Sequence, residues 1–190
     1  NEKDEEMDAT LNQFISYMRD GSDEEPQDTD INMLLQELVI QFKPLDIRFT
    51  AQELPIIQAR SLSLKRLIGN LINNAKRYGA EPIEISAQVE NNQLLISVAD
   101  HGEGIPADQI EELMQPLVRG NDARTMQGSG LGLAIVKRIV DIHNGQILIQ
   151  NREQGGLEAI ISLPLSKTEV DEVLNNSALE KIKQTLSERF

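Results

Sequence analysis

A chain of 190 residues is long enough for one domain with helical appendages and a real core. It is 39% hydrophobic and 26% charged with a net charge of −13, so neither nucleic acid nor an anionic membrane surface is an expected partner. Cysteine is absent and the only histidines are His101 and His143, which excludes disulfides and thiol catalysis and argues against a His-rich metal centre. No apolar run approaches the roughly 18 residues of a membrane span, and no signal peptide is visible. The first residue is Asn1 rather than a methionine, so the chain reads as a segment of a longer protein.

Met7, Leu11, Phe14, Ile15 and Met18 carry helical spacing through an acidic opening, which predicts a short amphipathic helix. An acidic linker with Gly21 and Pro26 follows, up to Thr29. Thr29 or Asp30 can cap a helix to about Phe42, with Ile31, Leu34, Leu35 and Leu38 inward and Pro44 ending it. Residues 46–52 and 56–59 read as short strands. From Leu62 to Gly79 the apolar residues Leu64, Leu67, Ile68, Leu71, Ile72 and Ala75 form the stripe of an amphipathic helix on a core. Residues 83–89 and 93–99 read as a hairpin around Glu90, Asn91 and Asn92. Residues 107–114 form at most a short helix, and 116–130 a glycine-punctuated loop. A helix at 131–143 is apolar nearly all round in its first half, and Asn144 and Gly145 supply a left-handed stop. Residues 146–151 and 157–163 make a last hairpin around Gly155 and Gly156. The acidic end, 166–190, is helical, with Ser177 and Glu180 as a capping box and Leu179, Ile182 and Leu186 as a thin stripe. Helices alternating with hairpins predict an α+β layer with helices on one face of a sheet.

Three stretches carry chemistry. On the long helix, Asn70, Asn74 and Arg77 form a polar line beside the apolar stripe, next to Leu67. Asparagine is a poor helix former, so two in mid-helix cost stability without a local return. Two readings fit: solvated rim amides, or a site whose amide oxygens bind Mg²⁺ while the guanidinium meets phosphate. Asp100, at the end of an apolar strand, is followed by Gly102 and Gly104, which let a ligand approach the backbone closely. An ionised Asp only accepts hydrogen bonds and so suits an exocyclic amine such as adenine N6; an ordinary Asp-Gly turn is the simpler reading of that pattern alone. Gly128 to Ala134 is a glycine-rich loop running into a helix, where unpaired N–H groups and the helix dipole suit polyphosphate, although tight packing explains it equally well. Neither a Walker loop nor a Rossmann start fits there.

In this order the three stretches resemble the ATP-binding catalytic domain of sensor histidine kinases, in the superfamily that also holds DNA gyrase, Hsp90 and MutL. Asn70 to Tyr78 resembles the N box, Asp100 to Pro106 the first glycine box, Gln115 to Gly120 the F box and Gly128 to Leu133 the second glycine box, while Gly155, Gly156 and the Leu163-Pro164 pair resemble the closing hairpin. Residues 12–21 and the Ala75 to Tyr78 ending are similar to those of osmosensing members. The resemblance covers residues 28–165 and implies a two-layer α/β sandwich of Bergerat type, a mixed sheet with helices on one face. Residues 1–21 would be the remnant of a helical dimerisation and phosphoacceptor hairpin plus linker, and 166–190 an acidic helical extension. It also implies ATP and Mg²⁺ as ligands. Asn74, with Asn70 beside it, would hold the metal; Asn70, Asn74 and Arg77 would be the catalytic set. Ala75, Lys76, Arg77, Tyr78, Asp100, Gly102, Gly104, Ile105, Arg119, Gly120, Ser129, Gly130, Leu131, Gly132 and Leu133 would join Asn74 around the nucleotide.

The implied reaction moves the ATP γ-phosphoryl group to a histidine on a separate helical-hairpin domain of the same kinase, for relay to a response regulator. The whole protein would be homodimeric, and this domain would lie on the cytoplasmic side of an inner membrane without touching it. Two departures stand out. Met114 and Leu117 replace the phenylalanines of the F box, and neither His101 nor His143 resembles the phosphoacceptor. A nucleotide-binding scaffold without phosphotransfer is the rival reading. In hydrolysing relatives the position of Asn70 resembles a Glu acting as general base, and an amide cannot accept a proton at neutral pH, which disfavours a plain ATPase.

Overall fold

The computed structural model describes residues 22–50, 52–114 and 130–189, together with residues 3–5, 7, 8 and 11; for 113, 114 and 130–132 only the backbone is described. In chain order the elements are β1 (Gln27–Thr29), α1 (Ile31–Gln41), β2 (Ile47–Thr50), β3 (Ile57–Ala59), α2 (Ser61–Tyr78), β4 (Ile83–Glu90), β5 (Gln93–Ala99), α3 (Ala107–Met114), α4 (Gly130–Ile142), β6 (Gln146–Asn151), β7 (Leu157–Pro164) and α5 (Lys167–Ser187). The five-stranded sheet has the order β2-β4-β5-β7-β6, parallel only between β2 and β4, and so is mixed.

Strand alternation sorts that sheet into two faces. Phe49, Ile85, Val98, Ala159 and Ile149 are cross-strand partners in one row, and Ala87, Ile96, Ile161 and Ile147 in the next. These rows join the core with Leu64, Leu67, Ile68, Leu71 and Ile72 of α2, Val136, Ile139 and Val140 of α4, and Leu34, Leu35 and Leu38 of α1. The opposite face carries Ser86, Gln88, Gln146 and Gln150 exposed, with Leu148 51% exposed. This is the expected two-layer arrangement, with one sheet face left to water. The hairpin at Asn91 and Asn92 is a two-residue turn with both residues at positive φ (51° and 61°), conformations that asparagine tolerates better than most residues.

Two expectations need correction. Gln27–Thr29, read as linker, is a strand that pairs antiparallel with β3, and β3 belongs to this separate two-stranded sheet. The capping box of the last helix is Ser166 with Glu169, not Ser177 with Glu180, which sit within α5. The first box wins because the chain leaves β7 at Pro164 and the Ser166 hydroxyl meets the Glu169 N–H at once, so the helix needs no second start. The expected left-handed stop after α4 is present: Asn144 takes φ 55° and the Gly145 N–H closes on the Val140 carbonyl. Most of the first predicted helix lies outside the described residues.

The segment entering the domain is held at the start of α2, which is itself tied to the end of α4. Helix α2 has Arg60 at its N-cap and no side-chain cap of its own. Glu24 supplies it: Oε2 accepts from Leu62 N (2.9 Å), and Oε1 from Ser63 N (3.0 Å) and the Ser63 hydroxyl (2.8 Å). The Arg60 Nε donates to the Glu24 carbonyl and its Nη1 to the Ile142 carbonyl at the end of α4. His143 completes the knot, its Nδ1 bonding the Ile139 carbonyl and its Nε2 accepting from Arg60 N. That pair of bonds fixes the neutral imidazole with the proton on Nδ1. Burial lowers the His143 pKa; the Ile139 bond and the Glu24 charge oppose this, and the Arg60 charge adds to it. Burial raises the Glu24 pKa, but the bonds from Leu62 and Ser63, with the His143 charge, outweigh it, so the net shift is downward.

Replacing Glu24 with Ala should cost about 1 kcal/mol in urea unfolding, the scale of a lost N-cap; an unchanged midpoint would show that solvent caps α2 as well. Both shifts point the same way with pH. Below about 6.5 the unfolded chain protonates His143 while the native state resists, so stability falls on acidification, and Glu24 adds its share below about 4.3. Thermal midpoints should therefore drop between about pH 7.5 and 5.5, and His143→Gln should flatten that part of the profile.

Candidate functional site

Position along β5 decides where Asp100 points. One residue past the strand, it shares the parity of Val98 and Ile96 and so faces the helix layer. There it is 5% exposed. Its Oδ1 accepts from Gly102 N (2.9 Å) and Leu157 N (3.1 Å), while Oδ2 has no hydrogen-bond partner among the described residues. Burying a carboxylate is costly unless donors surround it, so a carboxylate satisfied on one oxygen is half of an interaction.

Glycine lets α2 end against this carboxylate. A Cβ on Gly79 would lie 2.5 Å from Asp100 Oδ2, and one on Gly102 would lie 2.8 Å from the Gly79 Cα. Gly156, at φ 94°, leaves no room for a side chain against the Asp100 carbonyl. Gly104 needs both its positive φ (75°) and its missing side chain, because a Cβ would strike Asn151 Oδ1.

The polar line of α2 leads away from this point. Counted back from Gly79 at 1.5 Å per residue, Asn74 lies about 7.5 Å and Asn70 about 13.5 Å along the axis. Both are half-buried, and neither amide has a hydrogen-bond partner among the described residues. Arg77, Lys76 and Tyr78 are exposed, with the Arg77 guanidinium 5.6 Å from the centre of the Tyr78 ring. Ala75 is 7% exposed and Leu133 5% exposed, so both serve the core and offer a ligand little surface.

Helix α4 packs along α2, and the Arg60 to Ile142 bond joins the start of one to the end of the other. The helices therefore run antiparallel, and twelve residues back from Ile142 along α4 bring Gly130, about 18 Å away, abreast of the Asn70 to Asn74 turn. The N-terminal end of α4, with its backbone N–H groups and positive dipole end, thus falls beside the two amides. Gly130, Leu131 and Gly132 are helical in backbone; Arg119, Gly120 and Ser129 lie outside the described residues, as does the F-box stretch. Ile105 is half-buried at the end of the Asp100 loop.

Four contacts escaped the sequence reading. Arg152 Nη1 donates to the Asp100 carbonyl (2.8 Å) and its Nη2 to Glu84 Oε2 (3.0 Å). Asn151 holds Ile105 by both backbone groups. His101 turns away from Asp100, its Nδ1 2.6 Å from the Pro82 carbonyl and its Nε2 3.7 Å from Glu84. Glu24 caps α2 from outside the expected domain. Nothing in the local pattern of Asn151 and Arg152 marks them, since their partners lie 46 and 52 residues away.

Among the described residues no group of three or more His, Asp or Glu side chains could hold a metal, and no helix is long and apolar enough to cross a membrane. A metal at this site would have to rely on amide oxygens and phosphate.

The chain is 32% identical over 142 residues to the sensor histidine kinase GtrS of Pseudomonas aeruginosa, covering 74% of this chain and 29% of that protein. It is 35% identical over 128 residues to the sensor protein CutS of Streptomyces coelicolor, covering 65% of this chain and 31% of that one. The chain thus spans less than a third of either curated relative. Among solved structures, the histidine kinase domain of the Escherichia coli osmosensor EnvZ superposes with a TM-score of 0.60 at 39% identity, over 76% of this chain and 92% of that one. Residues 59–167, more than half of the chain, match the family described as histidine kinase-, DNA gyrase B-, and HSP90-like ATPase, and the chain belongs to that family.

Proposed function

We propose that this chain is the ATP-binding catalytic domain of a two-component sensor histidine kinase. The observation that carries the reading is Asp100, buried with one oxygen held by two backbone N–H groups and the other without a hydrogen-bond partner among the described residues. An acceptor-only oxygen in a glycine-walled turn suits the N6 amine of adenine. Guanine would set a carbonyl against it, a mismatch worth about 1–3 kcal/mol.

From the adenine end, the nucleotide would run along the polar line of α2 toward the start of α4. Arg77, Lys76 and Tyr78 would meet phosphate and sugar, and Gly130 to Gly132 would offer backbone N–H groups to the phosphates, with Arg119, Gly120 and Ser129 from the preceding loop. Half-buried amides without hydrogen-bond partners among the described residues fit a hard cation that prefers oxygen ligands, so Asn74, with Asn70 beside it, would hold Mg²⁺. When bound, the cation supplies charge neutralisation for the transferring phosphoryl group. Asn70 cannot take a proton from water, so the site positions ATP without promoting hydrolysis. The acceptor is then a histidine presented by a separate helical-hairpin domain, and a response regulator receives the phosphoryl group next. The whole kinase would be a homodimer with this domain on the cytoplasmic side of the inner membrane. Its placement beside osmosensing kinases rests on the likeness to EnvZ.

Replacing Asn74 with Ala should abolish most of the gain in nucleotide affinity that Mg²⁺ confers, with the thermal midpoint nearly unchanged because the residue is only half-buried. Titrations with and without Mg²⁺ check this; an undiminished Mg²⁺ effect removes Asn74 from the metal site. Incubated with radiolabelled ATP, the chain alone should stay unlabelled and an added hairpin domain should take up acid-labile label. His101 is committed to Pro82 and Glu84, and His143 to Arg60 and Ile139, at the far end of α4 from the phosphates. Label on the isolated chain would show that one of them is an acceptor.

A further inference from the structure

The turn between β6 and β7 grips the Asp100 loop at both ends. At one end, Asn151 Oδ1 accepts from Ile105 N (3.0 Å) and its Nδ2 donates to the Ile105 carbonyl (2.7 Å). The side-chain amide thereby pairs with a residue's backbone as a neighbouring strand would. Gly104 has yielded its side chain to admit that amide. At the other end, the Arg152 side chain, 11% exposed, donates to the Asp100 carbonyl from Nη1 and to Glu84 from Nη2. His101 Nε2 stands 3.5 Å from the same Nη1. Between these two anchors, Leu157 N reaches Asp100 Oδ1, and the Leu157 carbonyl accepts from Asp100 N.

The guanidinium charge is met by the Glu84 carboxylate at 3.0 Å, so what Arg152 delivers to Asp100 is a direction rather than an uncompensated charge. The turn itself is preset. Arg152 N donates to the Gly156 carbonyl and Gly155 N to the Arg152 carbonyl, with Gly155 and Gly156 at φ 97° and 94°. The hydrogen bonds of Asn151 go to the Ile105 backbone and those of the Arg152 guanidinium to the Asp100 carbonyl and Glu84, none of them to Asp100 Oδ2. A single hydrogen bond discriminates between bases only if its acceptor is held to a fraction of an ångström, which loop backbone alone does not ensure.

We infer that Asn151 and Arg152 are positioning residues that set nucleobase selectivity by fixing where the Asp100 carboxylate stands. This deepens the proposed reading and rests on Asp100 meeting the base. Their loss should therefore reduce selectivity between bases and not merely weaken binding of every nucleotide.

The test compares ATP and GTP affinities of the chain by isothermal titration, in the parent, Asn151→Ala, Arg152→Ala and Arg152→Lys, with urea unfolding to confirm that each is folded. The parent should prefer ATP. Asn151→Ala and Arg152→Ala should each cut that preference about ten-fold, the worth of one well-placed hydrogen bond. Arg152→Lys, which keeps the charge but loses the two-pronged geometry, should fall between. In an Asp100→Asn background the same substitutions should change nothing further. If Arg152→Ala does not fold, Arg152→Lys and Asn151→Ala decide. A parent preference kept in folded variants, with both nucleotides weakened alike, overturns the positioning role and leaves the Asp100 reading standing. A parent that binds ATP and GTP equally overturns that reading, and the positioning role with it.

Discussion

A buried carboxylate with one oxygen satisfied and the other open among the described residues organises this domain. Asp100 lies on the helix-facing side of the sheet because strand parity puts it there, and at the sheet's end because β5 stops at Ala99. Burial at that place needs donors, and the described residues supply them to Oδ1 alone, from Gly102 and Leu157. The glycines at 79, 102 and 156 follow from the same constraint, since a side chain at any of them would collide with the Asp100 turn or with the residues closing on it. The remaining oxygen then faces the end of α2 that carries Arg77 and Asn74.

The candidate site's two helices are fastened at the ends remote from where the nucleotide is proposed to bind. Arg60 and His143 join the start of α2 to the end of α4, and Glu24 joins both to the segment that enters the domain. The ends that would face ligand carry no comparable knot among the described residues. This leaves the anchoring contacts at one pole and the proposed binding residues at the other, and it makes the entering segment part of the fold instead of a tether.

What was legible in the sequence follows local periodicity. The α2 stripe from Leu64 to Ala75 is buried throughout, and the Asn91 to Asn92 turn is where the hairpin reverses, because both signals depend on neighbours within a few residues. The motif set around Asn70, Asp100 and Gly130 was legible for the same reason, each being a short run. Pairings over long separations were not. Gln27–Thr29 has the composition of a linker and becomes a strand only because β3 offers an edge. Glu24 lies in an acidic run in which no residue stands out until α2 turns up without a cap. Ser177 followed by Glu180 mimics a helix start, and only the chain's exit from β7 shows that the helix began at Ser166. Asn151 and Arg152 look like ordinary polar turn residues, and their work is visible only once the Asp100 loop folds beneath them.

The most direct test is to titrate the chain with ATP and with the triphosphate of inosine, which replaces the adenine amine by a carbonyl at the same position. With Asp100 Oδ2 as the acceptor of that amine, the inosine nucleotide should bind at least about ten-fold more weakly, as an opposed pair of buried acceptors requires. Equal affinities would contradict the account, and the buried carboxylate would then have to be explained by the folding of its own turn.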